Sequence, residues 1–246
     1  MKTISQLLKS EAPTYELKLP LSNKTVKYTP FRVKEEKILL MALEDGTESA
    51  MLNAIKNLVD ACTETDLIIG DIPIFELEYL FINIRAKSVG EIAEPTINCP
   101  YTGTVTTGKI DLTKVKPPNT KNIADNKIKI KNSVGVTMKP PSLNILLENK
   151  IKDLDNTTPE ETINLVCSCI DEIWTEEEVF KVNELPKEEI VSFVENLAPK
   201  EFEKLSKYFQ SIPRLTHAVK YSVLNKENNK REDYELVLNG MNDFFG

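Results

Sequence analysis

The sequence predicts an α+β fold in which helical bundles are flanked by β-hairpins or ribbons, and the order of its elements suggests two similarly organised halves. Three observations carry this expectation. Short apolar/polar alternations stand on either side of turn residues, longer stretches space their apolar residues three and four apart, and prolines mark the junctions between the two kinds of segment. With 246 residues, 41% hydrophobic and 28% charged, the chain has the composition of a globular protein and the length for one large domain or two smaller ones.

Residues 15–19 (YELKL) and 25–28 (TVKY) flank Ser22-Asn23-Lys24 and read as a hairpin that ends at Pro30. A helix is expected from Val33 through Ile38-Leu39-Leu40-Met41, with acidic residues early and Asp45-Gly46 at its stop. A second follows from Thr47, a cap residue, and places Met51, Ala54, Ile55, Leu58 and Cys62 on one core-facing stripe. The third begins at Asp71-Ile72-Pro73 and carries Phe75, Leu77, Tyr79, Leu80, Phe81, Ile82 and Ile84. It is apolar on nearly every side, so it is expected at the centre of the N-terminal half. Residues 96–99, a Pro100-Tyr101-Thr102-Gly103 turn, 104–106 and 110–112 then read as a second ribbon.

Residues 116–126 (KPPNTKNIADN) hold two prolines and three asparagines with little apolar material, which makes them the best linker. The domain reading is therefore 1–115, a linker at 116–126, and 127–246. The second part repeats the order of the first. Residues 127–138 read as a hairpin, Pro140-Pro141 ends it, and Leu143 opens a helix. One helical stripe is expected through Ile163, Val166, Cys167, Ile170, Ile173 and Trp174, a second through Ile190, Phe193, Val194 and Leu197, and a third through Phe202, Leu205, Phe209 and Ile212. A last ribbon joins residues 218–223 to 234–238.

Charge and motif content exclude most function classes. The net charge of −7, with no long basic run, disfavours a nucleic-acid partner. The N-terminus has no apolar core of signal-peptide length, and no apolar stretch is long enough to span a bilayer, so the expected location is a cytoplasm with no membrane partner. Cys62, Cys99, Cys167 and Cys169 show no disulfide framework. His217 is the sole histidine and has no partner legible in the sequence. The glycines form no phosphate cradle. No catalytic residue emerges, no cofactor is expected, and the chain reads as a non-enzyme; the alternative, a metal-dependent enzyme, is opposed by the lone histidine and scattered cysteines.

Cys99-Pro100-Tyr101-Thr102-Gly103 has the shape of a zinc knuckle turn, but Thr102 stands where a second thiolate would be needed. The knuckle is degenerate and no metal site is expected. Arg85 and Lys87, two apart at the end of the central helix, diverge by about 200° and cannot serve one helix cap together. Arg85 is the better anchor for a partner's carboxylate, Lys87 the better servant of the helix end, and Phe244-Phe245 offer an aromatic anchor near the C-terminus.

Several segments together resemble the baseplate hub family of T-even-like contractile-tailed phages, which includes hub subunits and hub assembly proteins. These are residues 31–40 (FRVKEEKILL), the Asp71-Ile72-Pro73 start with residues 75–80 (FELEYL), and residues 85–91 (RAKSVGE). Residues 134–140 (VGVTMKP) follow, then a tail with Phe209, Pro213-Arg214-Leu215, His217 and residues 240–245 (GMNDFF) in the family's order. The match spans nearly the whole chain, and RAKSVGE is its most specific part. The resemblance implies a subunit of the hub, or an assembly factor that acts as a chaperone, working by stoichiometric binding. The partners it implies are other baseplate hub and tail proteins, with self-association into an oligomer left open. Family members commonly carry paired cysteines in both ribbons. Here the first pair is reduced to Cys99 and Thr102 and the second is replaced near Ser222 to Asn225, so no zinc function carries over.

Overall fold

The computed structural model describes residues 12–239 except 124, 132, 152–156 and 226–229. Strands β1 (Tyr15–Lys18) and β2 (Thr25–Tyr28) form the first hairpin, Tyr15 opposite Tyr28. Helix α1 (Val33–Asp45) starts where Arg32 N donates to Glu35 Oε2 at 3.0 Å. It stops at Gly46, whose φ of 68° is open to glycine and lets its N–H reach Ala42 O. Thr47 caps α2 (Glu48–Cys62) by accepting from Ala50 N. Strand β3 (Thr63–Glu64) follows without a loop and pairs with β2. After a 3₁₀ turn at Ile69–Asp71 comes α3 (Ile74–Ser88), which starts just beyond Pro73 rather than at Asp71. Strands β4 (Ile92–Ala93) and β7 (Ile110–Asp111) pair with each other, as do β5 (Thr96–Asn98) and β6 (Val105–Thr107). Together they make one narrow ribbon, followed by a 3₁₀ turn at Leu112–Lys114.

The second part opens with the hairpin β8 (Lys127–Lys131) and β9 (Val134–Met138). Ser142 caps the short α4 (Leu143–Glu148). Helix α5 (Pro159–Cys169) opens on a reciprocal cap: Thr158 Oγ1 accepts from Glu161 N, and Glu161 Oε2 from Thr158 N. Strands β10 (Ile170–Thr175) and β11 (Val179–Lys181) complete a four-stranded sheet of order β11-β10-β9-β8. Helices α6 (Lys187–Glu195) and α7 (Pro199–Gln210) precede the long ribbon of β12 (Thr216–Asn225) and β13 (Lys230–Asn239). The mixed α+β class is as expected, with seven α-helices and several small antiparallel sheets among the described residues.

One expected helix needs correction. The stripe through Ile163 and Val166 is helical only as far as Cys169; Ile170, Ile173 and Trp174 lie in β10. Pairing with β9 overrides the helical spacing: Ile173 faces Val136 and Trp174 faces Gly135. Gly135 has no side chain, and the Trp174 ring occupies the space that a Cβ there would fill.

One local arrangement occurs twice. A hairpin is followed by two helices, and the second helix runs from a buried cysteine straight into a strand that pairs with the hairpin's second strand. In the first instance Thr29 N donates to Cys62 O at 2.8 Å, and in the second Lys139 N donates to Cys169 O at 2.7 Å.

The buried apolar side chains gather in two clusters. The first surrounds α3, with Leu77, Leu80, Phe81, Ile82 and Ile84 each at most 1% exposed, and it takes in Val26, Ile55, Leu58, Ile97 and Ile110. Leu215, Val219, Tyr221, Val223 and Leu238 of the C-terminal ribbon belong to it as well. The second cluster joins Val136, Met138, Leu146, Val166, Ile170, Val194, Leu205 and Tyr208. Val115 belongs to the first, and Ile123 packs against the second. A polar seam ties α3's approach to α4. Ile74 N donates to Pro141 O at 3.0 Å, Asn144 Nδ2 to Asp71 Oδ1 at 2.7 Å, and Lys56 Nζ to Asn144 Oδ1 at 3.1 Å.

Phe81→Ala is expected to cost about 2–5 kcal/mol in urea melts, because the emptied volume lies where neighbours on every side are fixed. Gly135→Ala is expected to cost about 1–3 kcal/mol by forcing Trp174 from its place; a neutral result would show that the indole has room to turn.

Candidate protein-binding surface

The first half builds a site from the outside of α1 and the end of α3. Helix α1 is turned against the usual pattern. It buries Glu35, Leu39 and Ala42, while Val33, Ile38, Leu40, Met41 and Leu43 are 43–79% exposed. At 100° per residue the buried three fall within one narrow sector, Val33, Leu40 and Met41 lie across from it, and Leu43 stands at its flank. A helix with larger apolar residues outside than inside is uncommon on a surface that stays in water, where single exposed apolar residues are ordinary but grouped ones mark contact sites. Glu35 helps hold this orientation: it accepts from Arg32 N and pairs with Lys34 Nζ at 2.6 Å. Burial works to raise its carboxyl, but these bonds prevail and hold it below the ordinary value.

The start of α1 is fastened to the end of α3 by a bond from Phe31 N to Ser88 Oγ, 2.8 Å. Val33 just past this bond on α1, and Val89 and Ile92 just past it on the α3 side, are all exposed. Arg85 is half-buried, with Nη1 enclosed, and burial lowers its pKa. Lys87 is exposed. It pairs with Glu91 at 2.8 Å, which raises its pKa, and lies 5.6 Å over the Tyr15 ring. Helix α3 closes on a bond from Val89 N to Arg85 O, and Gly90 follows with φ of 139°. Phe244 and Phe245 lie outside the described residues.

The degenerate knuckle forms a tight turn: Gly103 N donates to Cys99 O at 2.8 Å, with Gly103 at φ 63°. Cys99 is wholly buried, and the hydroxyl of Tyr221 on β12 is buried beside it. Burial pushes the thiol up, but hydrogen bonding from Thr102 and from the amides of Tyr101 and Thr102 outweighs it and brings the pKa down to about 7. Tyr221 in turn is pushed up to about 12, chiefly by burial. Tyr234 stacks on Tyr101 at 4.8 Å and stands 6.0 Å from Tyr221, so the turn is clamped to the C-terminal ribbon by aromatic contacts. His217 is half-buried near the start of β12, and burial lowers its pKa. Among the described residues no group of three or more His, Cys, Asp or Glu side chains is placed to hold a metal ion. No described helix is long and apolar enough to cross a membrane.

Sequence reasoning reached the end of α3 but missed the outside of α1. The signal was present in Ile38-Leu39-Leu40-Met41, a run too broad for one buried stripe.

A mixed α+β chain with grouped apolar residues on an outer helix belongs to the class of proteins that work by contact with other proteins. A family model described as T4 bacteriophage base plate protein matches residues 12–246, and the chain belongs to that family. Its role is structural, in the tail baseplate, through contacts with other phage proteins. No curated protein and no solved structure matches the chain.

Thr102→Val is expected to raise the Cys99 midpoint above about 7, toward the ordinary thiol range, as read from thiolate ultraviolet absorbance. The folded state favours the thiolate, so loss of a donor must move the midpoint upward. Cys167, pushed up to about 11, and Cys62 and Cys169, pushed up to about 12, stay silent in that range. An unchanged midpoint would assign the effect to the remaining donors.

Proposed function

We propose that this base plate family member is a hub subunit or a hub assembly factor, and that it acts by stoichiometric binding to other hub and tail proteins. The observation that carries the binding mode is the outward apolar face of α1. Burying Val33, Leu40, Met41 and Leu43 against a partner removes several large side chains from water at once, each worth about 1.5–3 kcal/mol when fully enclosed. The resemblance of residues 31–40 and 85–91 to hub proteins supports the hub assignment, since both segments border this face. Arg85 and Lys87, at the end of α3, are a second element of this reading, in which Arg85 serves as an interface contact or shapes the end of α3 for one. A permanent subunit and a departing chaperone would use the same face, and they differ in whether the protein remains in the mature particle.

Leu40→Glu with Leu43→Glu is expected to leave circular dichroism unchanged, since both positions are exposed, and to weaken capture of co-expressed hub proteins by about tenfold or more. Full capture by the double variant would remove α1 from the interface. Mass spectrometry of purified particles then separates the two roles: a constant stoichiometry in the virion marks a subunit, and absence marks an assembly factor.

A further inference from the structure

A second feature, remote in sequence from α1, is a cleft of about 630 Å³ between residues 114–119 and residues 211–218. Lys114 and Lys116 line one wall, and Arg214 and His217 the other. The remaining lining is Pro117, Pro118, Asn119, Ser211, Pro213, Thr216 and Ala218, so no carboxylate is among it. In a chain of net charge −7 this is a local reversal of sign.

Both walls are fixed from behind. Leu112, Val115 and Pro118 are buried on one side, Leu215 and Val219 on the other, and the exposed cations alternate with them: Lys114 and Lys116 around Val115, Arg214 before Leu215. Anchoring the backbone through buried neighbours holds the charges in place before any ligand arrives, which lowers the ordering cost of binding. Asp111 stands behind the first wall, paired with Lys114 at 2.9 Å, and also faces His217.

We infer that this cleft is a binding site for an acidic segment of a partner protein, held by its carboxylates between Lys116 and Arg214 with His217 in the same lining. Arg214 can grip a carboxylate through two parallel N–H bonds, while Lys116 acts as a point charge. The backbone argues for carboxylates over phosphate. A phosphate cradle is made from successive N–H groups, and Pro117, Pro118 and Pro213 have none to give. A long nucleic acid would meet the repulsion of the whole acidic chain, whereas a short acidic segment meets only the cleft. The inference stands on the chemistry of the cleft and does not depend on the hub assignment or on α1.

His217 makes the test direct, because the only histidine of the chain yields a single imidazole signal in NMR. Burial holds its pKa below the ordinary value, opposed by Asp111, and Lys114, Lys116 and Arg214 share its surroundings, so a bound carboxylate must raise it. Titrating the full chain with a hexaglutamate peptide is expected to shift the signal saturably, to raise its pH midpoint, and to bind more weakly as salt is added. Arg214→Glu and Lys116→Glu are each expected to weaken the peptide by about tenfold or more. Lys116, on the opposite wall and exposed, keeps the test valid if the Arg214 variant alters the fold. The inference is overturned by an absent shift up to about 1 mM peptide, by both reversed variants binding the peptide as tightly as the unaltered chain, or by inorganic phosphate binding as tightly as the peptide.

Discussion

A helix that is apolar on nearly every face has no side to offer water, so α3 has to be roofed all round by other parts of the chain. The first half is the solution to that demand. Glu76 shows how strict it is: this carboxylate is fully buried near the start of α3, where Oε1 accepts from Leu21 N at 2.7 Å, Ser22 N at 2.9 Å and Ser22 Oγ at 3.3 Å. The turn of the first hairpin is thereby clasped to the central helix by three hydrogen bonds onto one carboxyl oxygen. At the other end Ser88 Oγ receives Phe31 N, so both ends of the hairpin's neighbourhood are referred to α3. Helix α1 is left on the outside because α2, the ribbons and the hairpin already cover the buried helix.

The recurring hairpin, helix pair and returning strand show one packing solution used with different sequences. In both instances the second helix ends on a buried cysteine, and the carbonyl of that residue accepts from the residue just past the hairpin. A small apolar residue suits this corner because the chain must turn from helix to strand with no connecting loop. Beyond the shared corner the instances diverge. The first sheet ends at the two residues of β3, whereas the second continues through β11.

What could be read from sequence followed the range of the interactions concerned. Helix α3 was legible because its apolar residues fill every turn, and α1, α2 and α4 because Asp45-Gly46, Thr47 and Pro140-Pro141 are local signals. Strand β10 was hidden because Val166, Cys167, Ile170, Ile173 and Trp174 keep helical spacing across a boundary that only the distant β9 imposes. The outside of α1 left a signal in its apolar run, too broad for one stripe, but the run looks the same whether a helix is enclosed, as α3 is, or covered by another molecule. Arg85 and Lys87 could be singled out from their positions at a helix end, but their separate surroundings, one enclosed and one over Tyr15, depend on the fold. The basic cleft draws its charges from residues about a hundred positions apart, and no local pattern announces it.

The membership of the C-terminal ribbon in the first core sets an order of events during synthesis. Leu215, Val219, Tyr221, Val223 and Leu238 complete the packing around residues made much earlier, such as Ile97 and Ile110. At a ribosomal pace of about 5–20 residues per second, the interval between Val115 and Leu238 is on the order of 6–25 s. Throughout it the nascent first half has an unfinished wall. The second cluster draws its members from residues 130–208, so it has the material to condense within that interval, and β12 and β13 close the older core only afterwards.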